Sequence, residues 1–175
     1  ELEKRVWSQV DVVYYPSVSE TAYVREYLAS RNHAASAVTV PAYAYGEFPD
    51  HPARDLAGRA GILMVAGFGH PPNVDAASWF VKQVMPLVWQ RVPDAQLYLV
   101  GSNPTDDVKA LAAPRVTVTG FVTDEVLARH YASARVSVAP LRYGAGVKGK
   151  VVEAMRHGLP MVTTAAGAQG LEGAC

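Results

Sequence analysis

The sequence predicts an α/β fold, a doubly wound parallel sheet of the Rossmann-like kind, from residue 58 onward. Short apolar runs rich in β-branched residues alternate with segments that have the period of amphipathic helices, as expected when helices connect parallel strands. The runs are apolar almost throughout, which is typical of strands covered on both faces of their sheet. The predicted strands are Ile62–Gly67, Gln96–Gly101, Val116–Gly120, Val136–Pro140 and Met161–Ala165.

A long amphipathic helix is predicted between the first two of these strands. Pro86 falls inside it and removes a backbone donor, so we expect a kink or break one turn earlier. Its buried stripe consists of Val74, Ala77, Val81, Val84 and Val88, which follow the spacing of one helix face. Shorter helices are predicted over Asp106–Ala113, Asp124–Ser133 and Val147–His157.

Residues 1–43 have a different character and are predicted to be the tail of a preceding domain. Val10–Ser17 and Ala37–Pro41 are predicted as strands, with a helix over Glu20–Arg31 between them. Residues 44–57 combine proline, glycine and mixed charge without a period, which is typical of a linker. Residues 58–175 then form the second domain, which we expect to be truncated at its carboxyl end.

Uncovered strand edges and apolar faces at these ends predict that the chain self-associates. Val12, Val13 and Tyr14 on the first strand are the candidate contact residues.

Composition limits the class of protein. Sixteen Lys and Arg balance sixteen Asp and Glu among 175 residues, and no basic stripe stands out. Binding to nucleic acid through phosphate neutralisation is therefore not expected. The longest apolar runs have the length of strands, too short for a membrane helix. The single cysteine, Cys175, cannot form an internal disulfide, which is compatible with the reducing cytoplasm and leads us to expect a cytoplasmic location.

The loop after the first strand of the second domain is rich in glycine. Gly67 and Gly69 begin a dinucleotide-binding fingerprint, but Pro72 stands where its third glycine is required, and no acidic residue closes the second strand at the required distance. A nicotinamide or flavin site is therefore disfavoured. The glycines either bring backbone amides close to an anion at a helix N-terminus or simply allow a tight turn.

A second glycine-rich loop runs from Gly144 to Val151. It has the spacing of a P-loop, but Val151 replaces the Ser or Thr that ligates magnesium, and no strand ends in an aspartate for the metal. These features argue against a nucleoside triphosphatase and predict no metal site. The loop still predicts a binding site for pyrophosphate, formed by Gly144, Gly146, Lys148 and Lys150.

The helix after this loop carries the most informative pattern. Val151 and Met155 are expected to face the core, while Lys150 and Glu153 share the outer face. Glu153 is then placed to accept hydrogen bonds from two ribose hydroxyls, with Lys150 at a phosphate; the alternative is an exposed ion pair. Lys148 reaches the same phosphate only if the first turn is unwound.

The segment from Gly146 to Gly170 resembles the donor-site signature of the group 1 glycosyltransferases, retaining enzymes of the GT-B fold. The features that carry the resemblance are the Glu153-Ala-Met triplet, Gly158-Leu-Pro160 and Val162-Thr-Thr164 in this order after the fourth strand. The likeness covers residues 58–173, and residues 1–43 resemble the end of the family's N-terminal, acceptor-binding domain.

The resemblance implies a set of donor-binding residues. Glu153 matches the second glutamate of the family's pair, whereas the first falls at Ala145. The basic residue common after the first strand falls at Phe68, and Gln169 replaces a glutamate of the last loop. Arg142 is a further candidate beside the glycine turn. The donor-binding set is Gly67, Gly69, Arg142, Gly144, Gly146, Lys148, Lys150 and Glu153, with no catalytic residue assigned.

The implied activity is transfer of a hexose from a nucleoside-diphosphate-sugar to an acceptor that the sequence does not identify, in polysaccharide biosynthesis. The resemblance implies no cofactor besides the nucleotide-sugar donor, and it leaves open a peripheral membrane association of the full enzyme. Because the acceptor side lies mainly on the other domain, the chain alone is expected to bind nucleotide weakly and to be inactive. The alternatives are a non-catalytic nucleotide- or partner-binding module and a sugar-nucleotide epimerase of GT-B architecture.

Overall fold

The structure is a computed structural model that describes residues 2–40 and 56–171. These residues divide into two compact units. The first contains α1 (Leu2–Trp7), β1 (Val12–Tyr15), α2 (Val18–Ser30) and β2 (Ser36–Thr39), together with Ala145–Gly149 and the described residues from Ala168 on. The second contains residues 56–144 and 150–167. The predicted linker, residues 44–57, lies almost entirely outside the described residues, and the predicted domain boundaries stay a prediction.

The first unit has the predicted order of strand, helix and strand. β1 pairs with β2 in parallel. Ser17 caps the start of α2, because its hydroxyl accepts a hydrogen bond from the Glu20 backbone amide at 3.3 Å. The sequence did not predict α1. Trp7, at its end, is buried with its ring edge-on to Tyr15, Tyr23 and Tyr27, so packing rather than helix period stabilises this short element.

The predicted contact residues on β1 differ in exposure. Val12 and Tyr14 are exposed, whereas Val13 packs against the buried core of the first unit. Self-association stays a prediction.

The second unit contains a five-stranded parallel sheet in the order β5-β4-β3-β6-β7, which confirms the predicted fold class. All predicted strands are present with bounds shifted by a few residues at most. After β2 the elements along the chain are β3 (Ile62–Val65), α3 (Pro71–Trp79), a π-helical turn (Phe80–Val84), α4 (Met85–Arg91), β4 (Leu97–Val100), α5 (Asp106–Lys109), β5 (Val116–Gly120), α6 (Asp124–Ser133), β6 (Val136–Ala139), α7 (Gly149–Arg156), β7 (Met161–Thr163) and α8 (Ala165–Ala168).

Both faces of this sheet are covered, as the apolar runs predicted. Leu63 and Met64 are neighbours on β3 and both fully buried, yet they belong to different hydrophobic clusters because successive strand residues point to opposite faces. Met64 packs with Ala76 and Ala77 of α3, and Leu63 packs with Tyr131 of α6. The sheet therefore has a helical layer on each side.

The long helix breaks where Pro86 predicted. A π-helical turn separates α3 from α4, and the Met85 amide donates to the Phe80 carbonyl five residues earlier. The additional residue in this turn rotates α4 by about 100° relative to α3. Met85 is consequently fully buried, while Val84 and Val88 of the predicted stripe are partly buried against the same core. No helix within the described ranges is both long and apolar enough to cross a membrane.

Two predicted helices are shorter in the structure. α5 ends at Lys109 instead of Ala113, because Pro114 disfavours helical backbone before it and Ala113 instead pairs with Val116 across a tight turn. α7 begins at Gly149 instead of Val147, after Gly144 and Gly146, whose positive φ angles do not belong to a helix.

The buried face of α7 also differs from the prediction. Val151 is buried as expected, but Met155 is 42% exposed and Ala154 is fully buried. The prediction for Met155 was wrong, because Ala154 packs below Leu63 and Tyr131 and turns Met155 outward.

Candidate functional site

Sheet topology sets the position of the site. From β3 the chain winds through β4 to β5 on one side, and β6 and β7 lie on the other. The strand order therefore reverses between β3 and β6, and in such sheets ligands bind in the crevice beyond the carboxyl ends of those strands. The loop after β3 leads into α3, and the loop after β6 leads toward α7. Both glycine-rich segments thus follow the strands that border this switch point.

The loop after β3 exposes backbone groups and no charged side chain at Gly67, Phe68 and Gly69. Gly67 and Gly69 are exposed, whereas Phe68 between them is fully buried in the core. The Phe68 amide donates to the Ser102 carbonyl at 2.8 Å, which ties this loop to the end of β4. Phe68, at the position where the resemblance implies a basic residue, offers no side chain to the crevice.

Asn73, in the first turn of α3, connects the two sides of the switch point. Its side chain is largely buried; its Nδ2 donates to the Gly67 carbonyl at 2.8 Å, and its Oδ1 accepts a hydrogen bond from the Lys150 ammonium of α7. Lys150 is thereby connected to the loop after β3, and its role as a phosphate ligand stays a prediction. Sequence reasoning missed Asn73, although an amide in the first turn after a glycine loop was a usable signal.

Arg142 makes a second connection to α3. Its Nε donates to Asp75 Oδ2 at 2.8 Å, and its Nη2 donates to Oδ1 of the same carboxylate. The hydrogen bonds from Arg142 lower the pKa of Asp75 and, in return, raise the pKa of Arg142. The guanidinium also lies 6.0 Å from the centre of the Trp79 ring. Arg142 is therefore engaged by a carboxylate, and its predicted contact with the donor stays a prediction.

Glu153 lies one turn after Lys150 on α7 and is 29% exposed. His157 Nε2 is 3.2 Å from its Oε1, and Arg156 Nη1 is 3.6 Å from the same atom. The His157 ring stacks on Tyr131 with centroids 4.3 Å apart and planes inclined by 7°. These contacts restrain the carboxylate from its own helix and leave part of it accessible.

Lys148 belongs to the first unit, with Ala145 and Gly146. Its Nζ donates to the Ala145 carbonyl at 2.9 Å and also to the Gly146 carbonyl, so the side chain folds back onto its own turn. Burial lowers the pKa of this ammonium, and the charge of Glu20 partly opposes that shift. Lys148 lies before the first residue of α7, so the backbone there is not helical, as its predicted contact with a phosphate requires. That contact stays a prediction.

Chemically, the crevice of the second unit offers exposed loop glycines, an ammonium held by a neutral amide, and a carboxylate one turn further along the same helix. Such a combination on a Rossmann-like sheet is typical of α/β domains that bind an anionic ligand at the switch point. The family model for group 1 glycosyl transferases matches residues 59–174, more than half of the chain. The chain belongs to the group 1 glycosyl transferases.

Other proteins resemble this chain in sequence or in fold. An uncharacterised 44.6 kDa protein in the cps region of Klebsiella pneumoniae is 29% identical over 117 residues, which cover 62% of this chain and 30% of that protein. The pneumococcal O-GlcNAc transferase GtfA, solved in complex with UDP and GlcNAc, has a TM-score of 0.73 at 16% identity and covers 95% of this chain and 32% of its own.

Two further solved structures share the fold. Sucrose-phosphate synthase from Thermosynechococcus elongatus has a TM-score of 0.65 at 25% identity over 95% of this chain and 44% of its own. An α,α-trehalose-phosphate synthase from Burkholderia vietnamiensis has a TM-score of 0.68 at 10% identity over 97% of this chain and 50% of its own. The chain thus spans half or less of the length of each of these four proteins.

Proposed function

We propose that this chain supplies the donor site of a glycosyltransferase that uses a nucleoside-diphosphate-sugar. The observation that carries the proposal is the position of Lys150 and Glu153 on α7 at the topological switch point, where Lys150 also meets the α3 side through Asn73. A cation followed one turn later by a carboxylate fits a diphosphate followed by the hydroxyls of its ribose. The fold of the UDP-bound pneumococcal transferase supports the same interpretation.

The remaining residues of the predicted set fall into two groups in this proposal. The glycines at positions 67, 69 and 144 bring backbone amides to the diphosphate, because a residue without Cβ permits close approach. The predicted role of Gly146, which belongs to the first unit, stays a prediction. Arg142 belongs to the donor-binding set and is held by Asp75. Lys148 belongs to the same set by prediction from the sequence, and its ammonium is held by its own turn.

The chemistry that such a site serves is cleavage of the bond between the sugar C1 and the diphosphate oxygen. Negative charge develops on the departing diphosphate as the bond breaks, and an ammonium with backbone amides stabilises that charge. The acceptor hydroxyl and any general base come from parts of the full enzyme beyond this donor site. A hexose as the transferred sugar and polysaccharide biosynthesis as the setting are further parts of the proposal, the latter favoured by the cps-region relative.

Titration with nucleoside diphosphates tests this function directly. Isothermal titration of the chain with UDP, GDP and ADP is expected to show binding of one of them in preference to the other two. The matching nucleoside, which lacks phosphate, is the control and should bind far more weakly. Absence of heat and of a thermal upshift with all three diphosphates would instead favour a non-catalytic module on the same fold.

The two lysines near the start of α7 should differ in their effects on binding. Lys150→Gln is expected to weaken diphosphate binding by roughly tenfold or more, the scale of one hydrogen bond to a charged group. Lys148→Gln, the matched control, should change it less, because that ammonium already lies against its own turn. Affinities for the diphosphate and the monophosphate of the preferred nucleoside provide the measurement, and a larger diphosphate-specific loss for Lys148→Gln would reverse the two roles.

A further inference from the structure

We infer that Asn73 is a positioning residue for the donor diphosphate: it holds the Lys150 ammonium at the switch point without cancelling its charge. The inference rests on the proposed function and assigns a role to a residue outside the donor-binding set. Asn73 itself is not expected to touch the nucleotide, because its side chain is largely buried and engaged on both of its polar atoms.

The hydrogen bonds of Asn73 fix the orientation of its amide. Its Nδ2 lies 2.8 Å from the Gly67 carbonyl oxygen, which can only accept, so this atom must be the donor nitrogen. The opposite atom is then Oδ1, and it faces an ammonium that can only donate. Each contact therefore requires the same amide orientation. The backbone supports it, since the Asn73 amide donates to the His70 carbonyl at 2.9 Å in the first turn of α3.

A lysine needs such a restraint more than an arginine does. Its charge sits on a flexible four-carbon stem, and fixing that stem when ligand binds costs rotamer entropy. Asn73 restricts the stem beforehand, and the restraint links the loop after β3 with the helix after β6. The ammonium is therefore held at the switch point before the diphosphate arrives.

The neighbouring bridge between Asp75 and Arg142 shows what an amide at Asn73 changes for Lys150. Asp75, two residues further along α3, binds Arg142 with a carboxylate, so that pair joins a negative charge to a positive one. Asn73 makes a similar bridge to Lys150 with a neutral group, which adds no negative charge beside the lysine. The two bridges thus differ in the charge that α3 contributes to each.

A double-mutant cycle tests the inference. Asn73→Ala, Lys150→Gln and the double variant are titrated with the diphosphate and the monophosphate of the nucleoside that the wild-type chain prefers. Asn73→Ala is expected to lower diphosphate affinity several-fold and monophosphate affinity less. In the Lys150→Gln background the same change should have almost no further effect, because the two residues then act through one ammonium.

Two additional variants separate positioning from folding. Asn73→Asp still holds the Lys150 ammonium but places a negative charge beside it. This variant should therefore also lose the preference for diphosphate over monophosphate. It replaces Asn73→Ala in the test if that variant does not fold. Asp75→Asn weakens the other bridge and should lower Tm while leaving the ratio of diphosphate to monophosphate affinity unchanged. Additive losses in the cycle, or an unchanged ratio in both Asn73 variants, overturn the inference. If the wild-type chain binds no nucleoside diphosphate, the proposed function fails together with the inference. If the wild-type chain binds one and the Asn73 variants do not respond as expected, only the inference fails.

Discussion

Gly101→Ala is expected to destabilise the second unit by about 3 kcal/mol or more, the largest effect of any substitution considered for this chain. Gly101 has φ +148°, and a Cβ built on it would lie 1.8 Å from the Ala66 carbonyl oxygen and 2.8 Å from the carbonyl carbon. Both positions follow the ends of adjacent strands, and the Ala66 amide donates to the Val100 carbonyl at 3.0 Å. Because the obstacle is backbone within the sheet, it cannot move aside as a flexible side chain does.

Gly120→Ala is the matched control for this effect. Gly120 also has a positive φ, +74°, but a Cβ there would meet no atom within 4 Å. Only the backbone cost of about 1–2 kcal/mol then applies. Urea unfolding of the two variants gives the difference in the free energy of unfolding. Equal losses would show that the close approach of Ala66 to Gly101 contributes nothing.

Glu153→Gln is expected to weaken nucleoside diphosphate binding by roughly tenfold to a hundredfold, as for the loss of one hydrogen bond to a charged group. A carboxylate accepts from both ribose hydroxyls, whereas an amide has a single acceptor atom and presents a donor to the second hydroxyl. Affinity for inorganic pyrophosphate, which has no ribose, should stay nearly unchanged. Titration of the variant with both ligands gives the comparison.

Glu125→Gln provides the control for this substitution. Glu125 is an exposed carboxylate in the first turn of α6, so the change in net charge is the same and the position lies outside the proposed site. If Glu153→Gln lowers Tm by several degrees and leaves both affinities unaltered, the carboxylate serves its contacts with Arg156 and His157 rather than a ribose.

The strands of the sheet were predicted well because each strand is recognised from the composition of its own segment. Continuous apolar runs located β3 to β7, and Pro86 located the break in the long helix, since each depends on neighbours in sequence. The stripe through Val84 and Val88 does pack against the core, but the same pattern did not indicate Met85. The π-helical turn adds Met85 to the buried face, where it is fully buried.

The candidate site was predicted less completely, because its contacts join distant parts of the chain. Lys150 and Asn73 are separated by 77 positions, and Arg142 and Asp75 by 67. Charge and glycine spacing identified one member of each pair, but no local pattern indicates its partner. Lys148 shows the reverse case. Its charge suggested a ligand, while its hydrogen bonds to the Ala145 and Gly146 carbonyls arise from the loop conformation.

The π-helical turn at Phe80–Val84 has a consequence for how this helix can change in length. The turn contains one residue more than an α-helical turn joining the same two segments. Loss of a single residue there would restore regular α-helix and still leave Met85 facing the sheet. A deletion of one position is therefore absorbed within this turn, while α3 and the loop that carries Gly67, Gly69 and Asn73 keep their register with β3.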